Sequence, residues 1–227
     1  MRKYMTRDSI SVVIPTLNEE GNVQMLVERL HAAIDPIAER YELIFIDDHS
    51  TDGTVFLLKN LAKQYPILVF PKEGKKGKAH SLLEGFARAS HDIVAMIDAD
   101  LQYPPEAIPN MVKKIHAGAD IVVVNRIERH VSWVRKFVSK AFAFIFVRML
   151  HGFNFDVQAG LKVFRRKVTR EIIVDPTPWT FDLEFLVNAR RAGFVITSEN
   201  ITFEERRAGQ SKVNMLQASY EIGSNAL

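Results

Sequence analysis

The amino-acid sequence predicts an α/β fold with a mostly parallel central sheet and helices on both faces. The first observation is a set of five short apolar runs, at residues 11–15, 42–48, 67–71, 92–98 and 120–124. Most of them lack polar alternation, which predicts strands buried on both faces, as in a parallel sheet. The second observation is that the segments between them carry apolar residues at three- and four-residue intervals, which is typical of helices. Strands alternating with helices indicate βαβ units.

The remaining elements follow in chain order. The helices of the first half are predicted at residues 19–34, 53–65, 77–89 and 105–118. In the second half, the sequence predicts a strand, a helix and a strand that ends in a basic loop, at residues 160–166, 181–194 and 201–212. Between the halves the pattern changes to one long amphipathic segment.

That segment, residues 132–152, predicts a basic amphipathic helix. Its apolar residues form one helical stripe, and Arg135, Lys136, Lys140 and Arg148 lie off the stripe. One interpretation is a helix that packs on the core and exposes its basic face. The other is a helix that lies in a membrane interface, with aromatic residues inserted and cations near lipid phosphates.

Length and composition narrow the class of protein. The chain has 227 residues, 47% of them hydrophobic, and a net charge of only +3. We predict a single domain over residues 1–227, with a donor-binding half at about 1–125 and an acceptor and membrane-interface half at about 126–227. With no Cys, disulfides and Cys-ligated metal sites are excluded. Because no apolar run approaches the roughly 20 residues of a membrane span, we expect a soluble or peripheral chain.

Polar residues follow the predicted strands where each strand ends. These are Thr16, Asn18 and Glu19 after strand one, Asp47, Asp48, Ser50 and Asp52 after strand two, and Asp98, Asp100 and Gln102 after strand four. Carboxyl ends of parallel strands share one edge of a sheet, where ligands bind in such folds. Each cluster alone also fits an ordinary turn or helix cap.

The stretch MIDADLQYPP, residues 96–105, carries the most specific chemistry. Carboxylates two positions apart at a strand exit can point the same way. Two hard oxygen donors suit Mg²⁺ or Mn²⁺, which usually complete their coordination with phosphate oxygens and water. Gln102 could add a neutral oxygen, and Pro104 and Pro105 predict a rigid entry to the next helix. The alternative is a solvated acidic turn.

An ordered set of motifs resembles the family 2 glycosyltransferases of GT-A fold. The motifs are VVIPTLNEEGN, IDDHSTDGT, GKAHSLLEG and IDADLQYPPE, followed by NRIER, WVRKFVSK, FDVQAGLKVFRR, FDLEFL and RRAGQSK. The later motifs resemble the polyprenyl-phosphate branch, which includes dolichol-phosphate mannose synthases and bacterial undecaprenyl-phosphate transferases. This resemblance covers nearly the whole chain.

The resemblance implies a role for each matching residue. The nucleotide sugar would be held by Pro15, Thr16, Glu19, Asp47, Asp48, Asp98 and Lys212. The metal would be held by Asp98, Asp100 and Gln102. The lipid phosphate would be held by Arg126, Arg135, Ser139 and Arg206. Asp100, Arg126 and Arg206 would act in catalysis.

The implied reaction is inverting, metal-dependent transfer of a sugar from a donor of GDP-mannose or UDP-glucose type to a dolichyl or undecaprenyl phosphate. A phosphate acceptor is already anionic at neutral pH and needs no protein base. If the acceptor were a saccharide hydroxyl, as in cell-wall or capsule assembly, Asp182 or Glu184 would be the candidate base, unless these are only acids of a helix start. The reaction implies a cytoplasmic chain, peripheral to the cytoplasmic membrane face.

Two features leave the donor open, and one further class remains as an alternative. Leu17 stands where many relatives carry an aromatic residue against the base, and DVQAGLK differs from the form common in mannose synthases. The basic segment 129–151 would also suit a non-catalytic module that binds membranes or nucleic acid. Nucleic acid is not the expected partner, because aligned acidic strand exits would repel its phosphates.

Overall fold

The structure is a computed structural model that describes residues 8–127, 153, 155–175 and 181–202. The strands are β1 Asp8–Thr16, β2 Ala38–Asp47, β3 Ile67–Pro71, β4 Ile93–Met96, β5 Ile121–Ile127, β6 Lys162–Arg165 and β7 Ile196–Thr202. The helices are α1 Val23–Ile34, α2 Thr54–Leu61, α3 Lys78–Arg88, α4 Ile108–His116, α5 Lys167–Glu171 and α6 Phe181–Arg191. A short 3-10 helix, Pro105–Ala107, precedes α4.

The strands form one sheet in the order β3-β2-β1-β4-β6-β5-β7. The pairs β1–β2, β1–β4, β2–β3 and β5–β7 are parallel, and β6 runs antiparallel to both of its neighbours. The predicted mostly parallel α/β sheet surrounded by helices is therefore confirmed. The predicted strand at 160–166 and helix at 181–194 correspond to β6 and α6. The last strand was predicted too late: β7 begins at Ile196, and only its last two residues fall in the predicted range 201–212.

Burial on both faces explains why these strands lack alternating apolar and polar residues. The middle of β1, from Ile10 to Ile14, and the end of β2, from Leu43 to Ile46, are 0% exposed. Helices cover these strands through apolar stripes; α1 buries Val23, Leu26, Val27, Leu30 and Ile34, which repeat at helical spacing. Burial on both faces therefore arises from helices packing on each side of the sheet.

An aromatic cluster of Phe86, Phe164, Phe181 and Phe185 fixes α6 on the sheet. Ring centroids of Phe164 lie 5.3 Å from Phe86 and 5.2 Å from Phe185. Phe181 stacks on Phe185 at 6.0 Å. These rings join α3, β6 and α6, so the first turn of α6 is held close to the carboxyl end of β4.

Some elements differ from the prediction or fall outside the described residues. β2 begins at Ala38, four residues before the predicted start, and α5 was not predicted. The basic segment 129–151 lies outside the described residues, so both interpretations of it stay predictions. Within the part of the chain that the structure describes, no helix has both the length and the apolar character needed to cross a membrane.

Candidate active site

The exits of β1 and β2 form one loop pair at the carboxyl edge of the sheet. The Asp48 N–H donates to the Thr16 carbonyl at 2.8 Å. Asn18, held at φ 51°, receives the Thr51 N–H on its side-chain oxygen at 2.7 Å and donates its own N–H to the Ser50 hydroxyl at 2.8 Å. The predicted convergence of these two polar clusters is therefore present as direct hydrogen bonds.

Several predicted nucleotide-binding residues shape this loop pair. Pro15 is half-buried and Thr16 is buried, with its hydroxyl bonded to the Ile14 carbonyl at 3.2 Å. The Glu19 carboxylate accepts a bond from the Asn22 amide at 2.7 Å. Asp47 accepts the Ser50 N–H at 3.1 Å through one oxygen, and its other oxygen is buried without a hydrogen-bond partner among the described residues.

Asp48 is held through one of its carboxylate oxygens, whereas the other, Oδ1, is buried with no hydrogen-bond partner among the described residues. One of its oxygens, Oδ2, accepts the Gly77 N–H at 2.8 Å and lies 3.2 Å from the ammonium group of buried Lys72. Lys72 also donates to the Gly77 carbonyl at 2.8 Å. Burial alone would raise the pKa of Asp48, but the Gly77 N–H and the Lys72 ammonium outweigh it and lower that pKa. Gly77 adopts φ +118°, a conformation that favours glycine.

Asp98 and Asp100 lie beyond β4, in a tight turn. β4 ends at Met96, and Leu101 closes the turn with φ 62°. The turn, and not the two-residue period of the strand, therefore places the two carboxylates. Asp100 accepts the Gln102 N–H at 3.2 Å, so it also stabilises its own turn. Ile97 is buried and extends the hydrogen bonding to β1, as predicted.

Lys78, at the start of α3, forms an ion pair with Asp98 at 2.5 Å between Nζ and Oδ1. Burial raises the pKa of Asp98; Lys78 opposes this rise, whereas Asp100 and Asp182 add to it. Partial desolvation of Lys78, whose side chain is 42% exposed, would by itself lower its pKa, but the Asp98 and Asp182 carboxylates outweigh this effect and raise that pKa. The result is a cluster of three carboxylates and two lysines, in which Lys78 pairs with Asp98 and Lys162 pairs with Asp182.

Gly160 packs directly against Asp98. A Cβ added at Gly160 would come within 2.0 Å of Asp98 Oδ2 and 2.8 Å of the Tyr103 ring. The Gly160 N–H bonds to the phenol of buried Tyr103, whose pKa is raised mainly by burial. Only glycine leaves room for the carboxylate in this position.

Behind these residues lies a buried ion pair between Lys162 and Asp182. Lys162 is 0% exposed, and its ammonium also donates to the Ala159 carbonyl at 2.5 Å. Asp182 lies in the first turn of α6. Its neighbour Glu184 accepts the Asp175 N–H at 2.9 Å. Both acids considered as possible bases are therefore engaged by donors.

The predicted acceptor residues are described only in part. Arg126 lies near the end of β5, and its Nε donates to Asp156. Asp156 also accepts the Gln158 N–H at 3.1 Å. The other residues predicted for the lipid phosphate or the closing loop, Arg135, Ser139, Arg206 and Lys212, lie outside the described residues.

The donor set around Asp98 fits a divalent cation. Two carboxylates, Asp98 and Asp100, lie close enough for the charge of one to raise the pKa of the other, after the larger effect of burial. A third carboxylate, Asp182, adds negative charge. Within the described ranges no group of three or more His, Cys, Asp or Glu residues has the arrangement of a complete metal cage. Two protein carboxylates with phosphate and water completing the shell are the usual arrangement for Mg²⁺ or Mn²⁺.

Sequence reasoning missed four residues of this site: Lys72, Lys78, Gly160 and Lys162. Lys78 had a signal, because a cation follows a glycine at a predicted helix start in the GKAHSLLEG motif. Lys162 had one too, because a single lysine interrupts the apolar run LKVF and a buried charge requires a partner. Nothing in the sequence alone pairs Gly160 with Asp98.

Known glycosyltransferases are similar in sequence to this chain. The family model of glycosyl transferase family 2 matches residues 11–173. Dolichol-phosphate mannosyltransferase of Pyrococcus furiosus is 30% identical over 212 residues, which are 90% of this chain and 59% of that protein. Undecaprenyl-phosphate 4-deoxy-4-formamido-L-arabinose transferase of Serratia proteamaculans is 32% identical over 212 residues, 92% of this chain and 64% of that protein. The chain thus spans about 60% of the length of these relatives.

The fold is also similar to that of a solved enzyme. Glucosyl-3-phosphoglycerate synthase of Mycobacterium tuberculosis, in complex with UDP, superposes with a TM-score of 0.73 at 21% identity, over 96% of this chain and 79% of that one. Another structure of the same enzyme, with Mn²⁺, UDP and phosphoglyceric acid, gives a TM-score of 0.70. From the family match and these relatives we conclude that the chain belongs to glycosyl transferase family 2.

Proposed function

We propose that the chain transfers a sugar from a nucleotide-diphosphate sugar to a polyprenyl phosphate, using a divalent cation held by Asp98 and Asp100. The observation that carries the proposal is the carboxylate cluster at the carboxyl edge of the sheet, where negative charge exceeds the charge of the lysines. The names of the similar transferases support a polyprenyl-phosphate acceptor. We further propose that the chain acts at the cytoplasmic membrane face.

The loop pair after β1 and β2 suits the nucleoside of the donor. Its backbone is fixed by the bonds between Thr16, Asn18 and the residues after β2, so the pocket is formed before the donor arrives. The second oxygen of Asp47 is buried and has no hydrogen-bond partner among the described residues, so it would accept an N–H of the base or a ribose hydroxyl only if donor binding uncovers it. Asp48, already engaged by Lys72, would contribute shape and orientation.

The diphosphate would lie over Asp98 and Asp100. A divalent cation bound there would neutralise the charge that develops on the departing nucleoside diphosphate. Asp100, stabilised in its turn by the Gln102 N–H, presents its carboxylate from a fixed backbone. Lys78, with an ammonium 2.5 Å from Asp98, is a second positive charge at the same edge. Such fixed charges stabilise the transition state without reorganisation.

The acceptor would enter from the side of Arg126. Asp156 holds the Arg126 guanidinium through Nε, which orients the group at the end of β5. A guanidinium fixed in this way suits an oxyanion of a phosphate. We propose that the acceptor phosphate attacks the anomeric carbon, inverts its configuration and releases the nucleoside diphosphate, with no proton transferred to the protein.

The contacts of Asp182 and Glu184 favour a phosphate acceptor over a saccharide hydroxyl. A hydroxyl acceptor requires a carboxylate that can take its proton. Asp182 accepts a hydrogen bond from the Lys162 ammonium, and Glu184 accepts one from the Asp175 N–H. These contacts, through Oδ1 of Asp182 and Oε1 of Glu184, hold both side chains within the fold. Transfer to a saccharide therefore stays the second candidate function.

The test is release of nucleoside diphosphate from a panel of nucleotide sugars with Mn²⁺, in the presence of a short-chain polyprenyl phosphate or of saccharides. We expect release that requires the polyprenyl phosphate and stops in EDTA. Asp100→Ala should lower turnover by at least about 100-fold, because it removes a metal ligand. Glu106→Gln, outside the cluster, is the control and should retain activity. Turnover that is unchanged in Asp100→Ala or in EDTA would contradict metal dependence, and turnover with saccharides alone would contradict the acceptor.

A further inference from the structure

Lys162 is a charged residue inside the sheet that the mechanism above does not use. It begins β6, lies opposite Met96 of β4 and Val123 of β5, and is 0% exposed. An ammonium group buried in this way loses its hydration, and an apolar residue of similar volume is often at least as stabilising. Stability of the fold therefore gives no reason for a lysine at this position.

Both contacts of Lys162 lead to groups that act on Asp98. Its ammonium donates to the Ala159 carbonyl at 2.5 Å, and Ala159 precedes Gly160, whose Cα packs against Asp98 Oδ2. The same ammonium pairs with Asp182, whose charge acts on Asp98. One buried cation thus holds both the backbone that packs against Asp98 and a carboxylate whose charge acts on Asp98.

The aromatic cluster separates this role from the docking of α6. Lys162 and Phe164 are two residues apart in β6, so they lie on the same face of the strand. Phe164 already holds the body of α6 through Phe185, at 5.2 Å between ring centroids. The ion pair with Asp182 therefore fixes the first turn of α6, which is the end of the helix that faces the site.

We propose that Lys162 is a positioning residue for Asp98: it fixes Gly160 against the Oδ2 oxygen of Asp98, and it holds Asp182 within the charge cluster. This inference rests on the proposed function, because a bound divalent cation is what requires the carboxylate to be held so closely. Residues that hold metal ligands in place typically contribute about 10-fold to 100-fold to metal affinity. Lys162 itself contacts neither donor nor acceptor.

The test is the affinity for Mn²⁺ alone, measured by electron paramagnetic resonance of the free ion, with no nucleotide or lipid present. We expect Lys162→Met to weaken Mn²⁺ binding by about 10-fold or more. The matched control is Val163→Ala, the next residue, which is equally buried and points to the other face of β6. It should leave Mn²⁺ affinity within about twofold of the unchanged chain. Hydrogen exchange should show faster exchange of the Gly160 amide in Lys162→Met only.

The outcomes separate this inference from the proposed function. Mn²⁺ binding by Lys162→Met within twofold of the unchanged chain, or an equal loss in Val163→Ala, would overturn the inference alone. A failure of the unchanged chain to bind Mn²⁺ would overturn metal dependence and the inference together. If Lys162→Met does not fold, Lys162→Met combined with Asp182→Asn removes the unpaired carboxylate. That pair should bind Mn²⁺ more weakly than Asp182→Asn alone, and equal affinity would overturn the inference.

Discussion

Asp48 and Asp98 follow the two strands that flank β1, yet their surroundings have opposite effects on them. Asp48 pairs with buried Lys72, and its contacts outweigh burial and lower its pKa. At Asp98, burial raises the pKa, and Asp100 and Asp182 raise it further despite the Lys78 ion pair. The negative charge of Asp48 is thus balanced by its neighbours, whereas Asp98 lies among an excess of negative charge.

This difference indicates which acid serves the shape of the site and which serves its chemistry. A carboxylate that already pairs with a buried ammonium gains less from a further cation, because its charge is already partly stabilised. A carboxylate crowded by others is stabilised when a cation binds, so binding energy is available there. The contacts thus distinguish two acidic strand exits whose sequences look equivalent.

The largest effect is expected from exchanging the two acids for amides. Asp98→Asn should lower donor turnover by at least about 100-fold, because it removes the charge that holds the cation. Its free energy of unfolding should stay within about 1 kcal/mol, because Lys78 is partly exposed. Asp48→Asn should act mainly on stability, with a loss of about 2–3 kcal/mol, because among the described residues buried Lys72 then keeps only the Gly77 carbonyl as a partner.

Urea unfolding and nucleoside diphosphate release, measured on both variants, check this pair. Asp48→Asn should retain Mn²⁺ affinity, since Asp48 lies outside the carboxylate cluster. If Asp98→Asn loses several kcal/mol of stability with normal turnover, the contrast between a structural acid and a chemical acid is wrong.

A smaller effect is expected from Gly160→Ala. The added Cβ would lie 2.0 Å from Asp98 Oδ2, so the carboxylate must move. We expect Mn²⁺ affinity to fall about 10-fold to 100-fold and stability to fall by about 1–3 kcal/mol. Gly193→Ala is the control, because Gly193 has φ +86° and open space around it. That variant should lose about 1 kcal/mol of stability with unchanged Mn²⁺ affinity; equal metal loss in both would show that the effect is one of stability.

The comparison also shows how far the sequence could predict the site. The apolar runs and the helical spacing between them predicted the parallel strands. The acidic residues that follow those strands predicted that carboxylates gather at one edge of the sheet. Both predictions follow from local sequence patterns. The partners of Asp98 could not be predicted in this way, because Lys78, Gly160 and Asp182 reach it from three separate segments. Their meeting depends on β6 inserting antiparallel between β4 and β5, which no local pattern specifies.

The smallest effect on stability is expected from lowering the pH. Asp120, before β5, resembles Asp48: burial alone would raise its pKa, but Lys167, the Val195 N–H and Arg165 outweigh it and lower that pKa. A carboxyl with a lowered folded-state pKa contributes stability above its unfolded value of about 4, and the contribution is lost as the pH falls through the folded-state pKa. Urea unfolding at a series of pH values should therefore show stability falling below about pH 4. Asp120→Asn should reduce the slope of the free energy of unfolding against pH by at most about 1.4 kcal/mol per pH unit, which is the effect of one proton. Asp48→Asn should reduce it in the same way, and a slope left unchanged by both variants would show that these carboxyls are not balanced as their contacts indicate.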